Sequence, residues 1–361
     1  MTDRDRKVAL FFGTRPQVIK ASVLRDALAA STNVVTVDTG QHYDYALHQV
    51  HYDQLGVAPP DAYLGIGSGS HGQQTAAILA AAAEWIRAHR PRVAVVIGDT
   101  NSTLACALAA TKERVPVAHV EAGLRATDLL MAEEINRRCV DAIASFLFAP
   151  CERAEQTLRR ERVDGEIHRV GDVAYDVLRR AMSRAPASPA MDGEYVYATL
   201  HRAELVDDPV LLRNVMSALA ALPLPVLFAA HPRTTEALRR AGCSPAKSIR
   251  MCEPLGYLDS VAATRGASAV VTDSGGIQRE AYWMGIPCVT VRTETEWIET
   301  VQCGANRLVS PHASADLADA VAEALTTGSC RWDVTHYGDG RAAERVAAVL
   351  TEGRLGASSS S

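Results

Sequence analysis

The chain has 361 residues, 48% of them hydrophobic, which is enough for two domains of ordinary size that each bury a core. The net charge of -5 provides no overall basic field, and no local basic patch stands out, so nucleic acid is not expected as a partner. The eight cysteines are scattered singly, which is typical of small buried residues in a reducing compartment.

The first residues, MTDRDRK, are charged and lead into a short apolar run without the apolar core and cleavage site of a signal peptide. The most apolar helical pattern, residues 75–85, falls well short of the roughly 20 apolar residues that a bilayer requires. We therefore expect a cytoplasmic protein without a membrane partner.

Short β-branched apolar runs alternate along the chain with longer alanine- and leucine-rich helical patterns, which predicts parallel sheets with crossover helices and an α/β fold. The first set of runs covers residues 8–12, 34–39, 93–97, 115–120 and 146–149. The second set covers residues 195–199, 226–230, 269–272 and 288–291. Each set is expected to form one doubly wound parallel sheet.

Residues 181–194 between the two sets lose this periodicity and contain prolines, a glycine and small polar residues, which predicts an interdomain linker. The predicted domains are residues 1–180 and residues 195–338. Residues 339–361 are expected to form a C-terminal helix that packs back across the junction and a disordered tail. Ligands of such sheets bind where parallel strands end, so functional residues are expected directly after the strands.

Residues able to bind anions or carry protons follow the predicted strands of the first set. Arg15 and Lys20 flank a turn and helix start, where they either bind an anion or are solvated. Asp99 and Glu121 follow neighbouring strands. Asp99 could instead cap the next helix, whereas Glu121 ends a buried strand.

Glu133 and Arg137 lie four residues apart on one predicted helix face, where an exposed ion pair is the simplest interpretation. If Asp99, Glu121 and Glu133 converge instead, they raise one another's pKa and supply a general acid or base near neutral pH.

Two histidines, His201 and His231, end successive strands of the second set. Further on, the turn Ser274-Gly275-Gly276 leads from a strand into a helix that carries Glu280. The backbone N–H groups of such a turn can bind a diphosphate, and the carboxylate can accept hydrogen bonds from ribose hydroxyls.

No cofactor and no metal are predicted. Residues 67–72 fit G-x-G-x-x-G, but no apolar strand precedes them, which argues against an NAD site. His42, His48 and His51 are close in sequence, but His48 and His51 merely share a predicted helix face, with no third ligand at metal-site spacing.

Taken together, the ordered motifs resemble the UDP-N-acetylglucosamine 2-epimerase family over residues 13 to about 309. They are GTRP, TGQHYD, GDTNST, HVEAGLR, EEINRR, TLHR, HPR and TDSGGIQREA. The resemblance implies the GT-B fold, in which two Rossmann-like domains face an interdomain cleft. It also implies a UDP-sugar substrate and a homodimer, with epimerisation at C2 through loss and re-addition of UDP by way of a 2-acetamidoglucal.

The resemblance assigns roles residue by residue. The implied catalytic residues are Asp99, Glu121, Glu133 and His201. The implied substrate-binding residues are Arg15, Lys20, Arg137, His231, Ser274, Gly275, Gly276 and Glu280. Gln41 and His42 correspond to positions that in some bacterial members bind a regulatory UDP-sugar.

Departures from the family's motifs concern the substrate more than the reaction. They are Gln17, Ala132, Arg279 and Trp297. The segment 279–299 is closer to the subgroup that epimerises UDP-2,3-diacetamido-2,3-dideoxyglucuronic acid. Three further functions stay open at this point: a hydrolysing UDP-N-acetylglucosamine 2-epimerase, a GT-B glycosyltransferase and a catalytically inactive UDP-sugar sensor.

Overall fold

A computed structural model describes residues 7–41, 57–186, 191–327 and 332–352. These residues form two compact units. The first unit contains residues up to Arg179 and those from Thr335 onward, and the second contains Arg180–Val334. Within the described ranges, no helix is long and apolar enough to cross a membrane. The predicted tail and residues 187–190 of the predicted linker lie outside these ranges.

The first unit contains a seven-stranded parallel sheet with the strand order β3-β2-β1-β4-β5-β6-β7. Its strands are β1 Val8–Phe12, β2 Val34–Asp38, β3 Ala62–Tyr63, β4 Val93–Ile97, β5 Val117–Val120, β6 Phe146–Ala149 and β7 Glu166–Arg169. The order reverses between β1 and β4. The loops that follow these two strands therefore diverge and leave room for a ligand at the carboxyl edge, where the parallel strands end.

Helices cover both faces of this sheet. They are α1 Arg15–Ala29, α2 His71–His89, α3 Asn101–Lys112, α4 Ala132–Ile143, α5 Glu152–Glu161, α6 Val173–Met182 and the C-terminal α14 Ala342–Glu352. Helix α14 packs against α1, and Arg92 Nη2 donates to the Leu350 carbonyl oxygen at 2.9 Å. The C-terminal helix is therefore part of the first unit.

The second unit contains a six-stranded parallel sheet with the order β10-β9-β8-β11-β12-β13, which reverses between β8 and β11. Its strands are β8 Val196–Thr199, β9 Val226–Ala229, β10 Ile249–Cys252, β11 Ala269–Thr272, β12 Cys288–Thr290 and β13 Asn306–Leu308. Alternate residues of β8 point to opposite core clusters, Val196 and Ala198 to one and Tyr197 to the other. The sheet is therefore buried on both faces, as its apolar strands predict.

The helices of the second unit connect these strands. They are α7 Ala203–Val206, α8 Pro209–Ala220, α9 Pro232–Arg240, α10 Tyr257–Gly266, α11 Gly275–Met284, α12 Ile298–Gln302 and α13 Asp316–Thr327. Short 3-10 helices cover Pro311–Ala313 and, in the first unit, Thr335–Tyr337. The predicted α/β class with two doubly wound parallel sheets is confirmed.

Asp176 on α6 holds the start of α14, because its carboxylate accepts hydrogen bonds from the backbone N–H groups of Ala342 and Ala343 at 3.1 and 2.9 Å. Burial nevertheless raises the pKa of Asp176 to about 6, and the nearby Asp172 charge adds to the shift. A carboxyl whose pKa is raised on folding stabilises the protein while it is protonated. That stability is lost as the pH rises from about 4 to about 6.

We therefore expect the free energy of unfolding of the wild type to fall relative to that of Asp176→Asn by about 2 kcal/mol between pH 4 and pH 7. Urea unfolding of both proteins at the two pH values measures this difference. A stability gap that does not change with pH would contradict the prediction.

Candidate active site

The turn after β1 is packed tightly at the carboxyl edge of the first unit. A Cβ at Gly13 would stand 2.0 Å from Thr39 Oγ1 and 2.3 Å from Ser102 Oγ, so this close approach requires glycine. Gln17 fixes the same turn. Its Oε1 accepts from the Gly13 N–H at 2.9 Å, and its Nε2 donates to the Ile97 carbonyl oxygen at 2.7 Å.

Asp99 follows β4 and does not cap the next helix. Thr100 is the N-cap residue of α3, and its hydroxyl accepts from the Thr103 N–H at 3.3 Å. Asp99 Oδ2 instead accepts from Arg137 Nη2 at 2.5 Å, and 28% of the Asp99 side chain stays exposed. The guanidinium therefore holds an accessible carboxylate at the carboxyl edge.

Glu121 directly follows β5 with a left-handed φ of 70°. This conformation costs a residue with a side chain about 1 kcal/mol or more. The Glu121 side chain is 9% exposed, and Lys20 Nζ lies 2.5 Å from its Oε1. A Cβ at Gly98 would stand 3.3 Å from Glu121 Oε2, so the carboxylate lies against a glycine. Lys20, which we predicted to bind the substrate, thus already pairs with an anion in its own unit.

Two successive glutamates of α4 have opposite environments. Glu133 is exposed, whereas Glu134 is completely buried. Glu134 accepts hydrogen bonds from the Ala126 N–H and from Arg138 Nε, both at 2.8 Å. Arg137 also donates to Glu134, at 3.3 Å. Glu134 therefore stabilises the loop before α4, and Glu133 remains accessible.

The remaining predicted residues of the first unit lie near the same edge. Gln41 Oε1 accepts from the N–H and hydroxyl of Ser102 at 2.9 and 2.6 Å, and the Gln41 carbonyl oxygen accepts from Gln74 Nε2 at 3.1 Å. Arg15 begins α1 and is exposed. His42 lies outside the described residues, so the regulatory role of this pair stays a prediction.

In the second unit, His201 follows β8 and is paired with Asp273, which follows β11. His201 Nδ1 lies 2.9 Å from Asp273 Oδ1, and Asp273 is completely buried. Asp273 Oδ2 accepts from the backbone N–H groups of His201 and Arg202, both at 2.8 Å. With its Nδ1 facing the Asp273 carboxylate, the ring presents Nε2 for proton transfer, and 43% of the side chain is exposed.

His231 is the N-cap residue of α9, and its Nδ1 accepts from the Arg233 N–H at 3.2 Å. This contact places the proton of a neutral ring on Nε2, which can donate to a ligand. The His231 and His201 ring centroids are 6.5 Å apart. The two predicted histidines therefore lie side by side after β9 and β8.

The turn before α11 is open. Ser274 caps the helix by accepting from the Ile277 N–H at 3.4 Å. A Cβ at Gly275 or Gly276 would meet its nearest atom at 3.5 or 3.7 Å, which is ordinary van der Waals contact. The fold of this unit therefore does not require glycine at either position, and the bare N–H groups at the helix start suit an anionic ligand.

Glu280 lies in the second turn of α11 and is partly buried. Burial raises the pKa of its carboxyl, although a hydrogen bond from the Tyr257 hydroxyl and the charge of Arg279 oppose the shift. Ionised Glu280 is therefore costly in the protein alone and gains from hydroxyl donors of a ligand.

The structure thus groups the predicted residues into two sets, one in each unit. Our prediction from the sequence missed Asp273 as the partner of His201. The available signal was an acidic residue at the end of a buried strand, directly before a glycine-rich turn. Among the described residues, no group of three or more His, Cys, Asp and Glu side chains could hold a metal ion.

Comparison with known proteins identifies the family. A family model described as UDP-N-acetylglucosamine 2-epimerase matches residues 26–351. The chain belongs to this family. Because epimerases are isomerases, this family member is an enzyme of the isomerase class.

Relatives of this epimerase match it over nearly their whole length. The UDP-2,3-diacetamido-2,3-dideoxy-D-glucuronate 2-epimerase of Pseudomonas aeruginosa is 40% identical over 96% of this chain and 99% of its own. The UDP-N-acetylglucosamine 2-epimerase of Methanocaldococcus jannaschii is 37% identical over 96% of this chain and 100% of its own. A crystal structure of the enzyme from that organism, in complex with UDP-GlcNAc and UDP, superposes with a TM-score of 0.87 at 36% identity, covering 96% and 100% of the two chains.

Two departures of this epimerase from the usual family motifs contact each other. The Arg279 guanidinium carbon lies 3.9 Å from the ring centroid of Trp297 and 5.8 Å from that of Trp283, within cation–π range. Arg279 Nε also donates to the Gly275 carbonyl oxygen at 3.2 Å. Arg279 and Trp297 therefore form a single feature beside the open turn.

A third departure, Gln17, has a structural reason. Its Nε2 donates to the Ile97 carbonyl oxygen at 2.7 Å, a hydrogen bond that an ionised glutamate cannot make.

Proposed function

We propose that this protein is a non-hydrolysing 2-epimerase that interconverts UDP-N-acetylglucosamine and UDP-N-acetylmannosamine. The observation that carries the proposal is the pair of carboxylates, Asp99 and Glu121, that follow neighbouring strands and that each pair with a cation of their own unit. The Methanocaldococcus jannaschii relative, named for this activity, supports the choice of substrate.

The reaction needs a base because the hydrogen at C2 of the sugar is not acidic. Departure of UDP with the electron pair of the C1–O bond creates positive charge at C1. This charge makes loss of the C2 proton feasible, and the electrons of the C2–H bond then form the C1=C2 double bond of a 2-acetamidoglucal. Protonation of C2 on the opposite face and re-addition of UDP at C1 invert C2.

We assign proton transfer at C2 to the carboxylates of the first unit, Asp99, Glu121 and Glu133. Lys20 and Arg137 pair with Glu121 and Asp99, and the negative charges of these carboxylates stabilise positive charge at C1. Glu133 is exposed and so is available to a substrate.

His201 is assigned to the leaving group. With Nδ1 2.9 Å from Asp273 Oδ1, its Nε2 can donate a proton to a departing diphosphate oxygen and take it back on re-addition. The proposed diphosphate site is the turn 274–276, with His231 as a further donor. Glu280 is assigned to the ribose hydroxyls.

UDP-2,3-diacetamido-2,3-dideoxyglucuronic acid is the second candidate substrate. It is favoured by the 40% identity to the Pseudomonas aeruginosa enzyme and by the Arg279–Trp297 pair in place of the usual family residues. The chemistry at C1 and C2 is the same for both sugars.

Incubation with each UDP-sugar in deuterated water, followed by NMR, tests the proposal. Formation of the 2-epimer with deuterium at C2 supports it and selects the substrate. Free UDP with N-acetylmannosamine would indicate a hydrolysing enzyme instead. Absence of exchange with both sugars would contradict the proposed function. The homodimer and the cytoplasmic location stay predictions.

Replacing Gly276 by alanine is expected to weaken UDP binding at least 10-fold without loss of stability. The added Cβ has ordinary contacts within the unit, and alanine favours the helix over glycine by up to about 1 kcal/mol. It would, however, occupy the side on which a diphosphate approaches the N–H groups. Calorimetric titration with UDP and thermal unfolding measure the two effects. Unchanged UDP affinity would rule out this turn as the diphosphate site.

Replacing Glu280 by glutamine is expected to raise the melting temperature at pH 7 and to weaken UDP binding about 10-fold. The amide avoids the cost of a partly buried charge, which is evident in the raised pKa of Glu280, but it accepts more weakly from ribose hydroxyls. Titration with UDP and with 2′,3′-dideoxy-UDP separates the ribose contact from other effects. If the variant loses the same affinity for both nucleotides, Glu280 does not bind the ribose.

A further inference from the structure

A buried histidine and aspartate join the two turns that carry Asp99 and Glu121. His119 lies inside β5 and Asp141 lies in α4, and they are 0% and 1% exposed. His119 Nδ1 lies 2.6 Å from Asp141 Oδ1, and His119 Nε2 lies 2.7 Å from the carbonyl oxygen of Gly98, the residue before Asp99. The ring therefore bridges from α4 to the turn after β4.

The same aspartate also reaches the turn after β5. Asp141 Oδ2 accepts from the Gly123 N–H at 3.1 Å and from Arg125 Nη1 at 2.8 Å. Glu121, with its left-handed φ, lies between His119 and Gly123 in the chain. A strained residue keeps its conformation only when its flanks are held, and Asp141 holds the C-terminal flank directly and the N-terminal flank through His119.

The hydrogen bonds of this pair are made within the first unit. Asp141 and the Gly98 carbonyl are both acceptors, and each faces one ring nitrogen of His119 at hydrogen-bond distance. Burial acts to raise the pKa of Asp141, but His119 and Arg125 outweigh it and hold that pKa below its usual range. Asp141 is thus an ionised carboxylate that satisfies its three donors.

From these contacts we propose that Asp141, acting through His119 and Gly123, is a positioning residue that sets the placement of the carboxylates of Asp99 and Glu121. The proposal rests on the proposed function, because it concerns proton transfer at C2 by those two groups. Asp141 itself is buried and does not touch the substrate.

Asp141→Asn is the first test, with the wild type and Asp172→Asn as references. Asp172 is a matched control, since it is also 1% exposed in the first unit and also accepts a backbone N–H, that of Ala174, at 2.8 Å. We expect Asp141→Asn to lower kcat and the rate of deuterium incorporation at C2 about 100-fold, the effect of a small misplacement of reacting groups. The Kd for UDP should change less than about 3-fold. Asp172→Asn should keep the wild-type kcat per folded molecule.

His119→Asn is a second variant, needed because Asp141→Asn could fail to fold. Asparagine Nδ2 can keep the bond to Asp141 while the bond to the Gly98 carbonyl is lost, so only the turn carrying Asp99 is released. We expect kcat to fall again while the Kd for UDP holds.

A kcat per folded molecule that stays within about 3-fold of wild type in both variants would overturn the positioning role. A fall of kcat in Asp172→Asn as large as that in Asp141→Asn would also overturn the positioning role. If the wild type itself shows no exchange at C2, the proposed 2-epimerase function is wrong. Exchange in the wild type with an unchanged kcat in the variants instead contradicts only the positioning role of Asp141.

Discussion

Replacing Glu121 by glutamine is expected to lower epimerase turnover at least about 1,000-fold while the protein remains folded. The amide has nearly the same shape as the carboxylate but cannot accept a proton from C2. It also removes the negative charge that faces Lys20, whose Nζ lies 2.5 Å from Oε1. The loss should therefore appear in kcat and in deuterium incorporation at C2 together.

Two further measurements make the Glu121→Gln experiment specific. The Kd for UDP should stay close to wild type, because the nucleotide is assigned to residues of the second unit. Glu113→Gln is a suitable control, since Glu113 belongs to the first unit and pairs with the exposed Arg87, 2.7 Å away. If Glu121→Gln turns over as fast as this control, the carboxylate assignment is wrong.

Replacing Asp273 by asparagine is expected to lower kcat about 100-fold to 10,000-fold, by analogy with the loss of the aspartate in a serine protease triad. An asparagine oxygen can still accept from the N–H groups of His201 and Arg202, so the turn should keep its structure. The amide NH₂ then faces His201 Nδ1 and donates to it, which moves the ring proton to Nε2 and removes the negative charge that stabilises an imidazolium.

The defect in Asp273→Asn should concern the departure of UDP rather than proton transfer by the carboxylates. A UDP-sugar with a better leaving group at C1, such as a fluorinated diphosphate analogue, should therefore recover part of the lost rate. Asp207→Asn, which breaks an exposed ion pair with Arg233 in the same unit, is the matched control. An Asp273→Asn enzyme with kcat within about 3-fold of this control would show that His201 does not need its partner.

The interior of both sheets could be predicted from the sequence, whereas their edges could not. The strands that sequence patterns missed are β3, β7, β10 and β13, and each is an edge strand of its sheet. An interior parallel strand is covered on both faces and reads as a continuous apolar run. An edge strand is partly exposed and tolerates polar residues, as in EIHR of β7 and NRL of β13. The apolar pattern that reveals a strand in the sequence is therefore lost at the edge strands, which are not fully buried.

The positions of the site residues could be predicted, but their partners could not. Strand ends located Asp99, Glu121 and His201 because parallel strands bring their C-terminal loops to one edge. Partners such as Asp141 for His119 depend on the packing of a helix against the sheet, which no local pattern encodes. The adjacent Glu133 and Glu134 illustrate the limit, since a rotation of about 100° along the helix separates an exposed carboxylate from a buried one.

The position of α14 has a consequence for biosynthesis. A ribosome delivers the chain from its N-terminus, and domains commonly fold as they emerge. Here α14 packs on α1, and its first turn is bonded to Asp176, so the first unit stays without this helix until the whole second unit has been synthesised. The second unit is delivered earlier as one continuous segment. During synthesis, the unit that starts first is expected to finish last, with the surface of α1 that α14 covers exposed in the nascent protein.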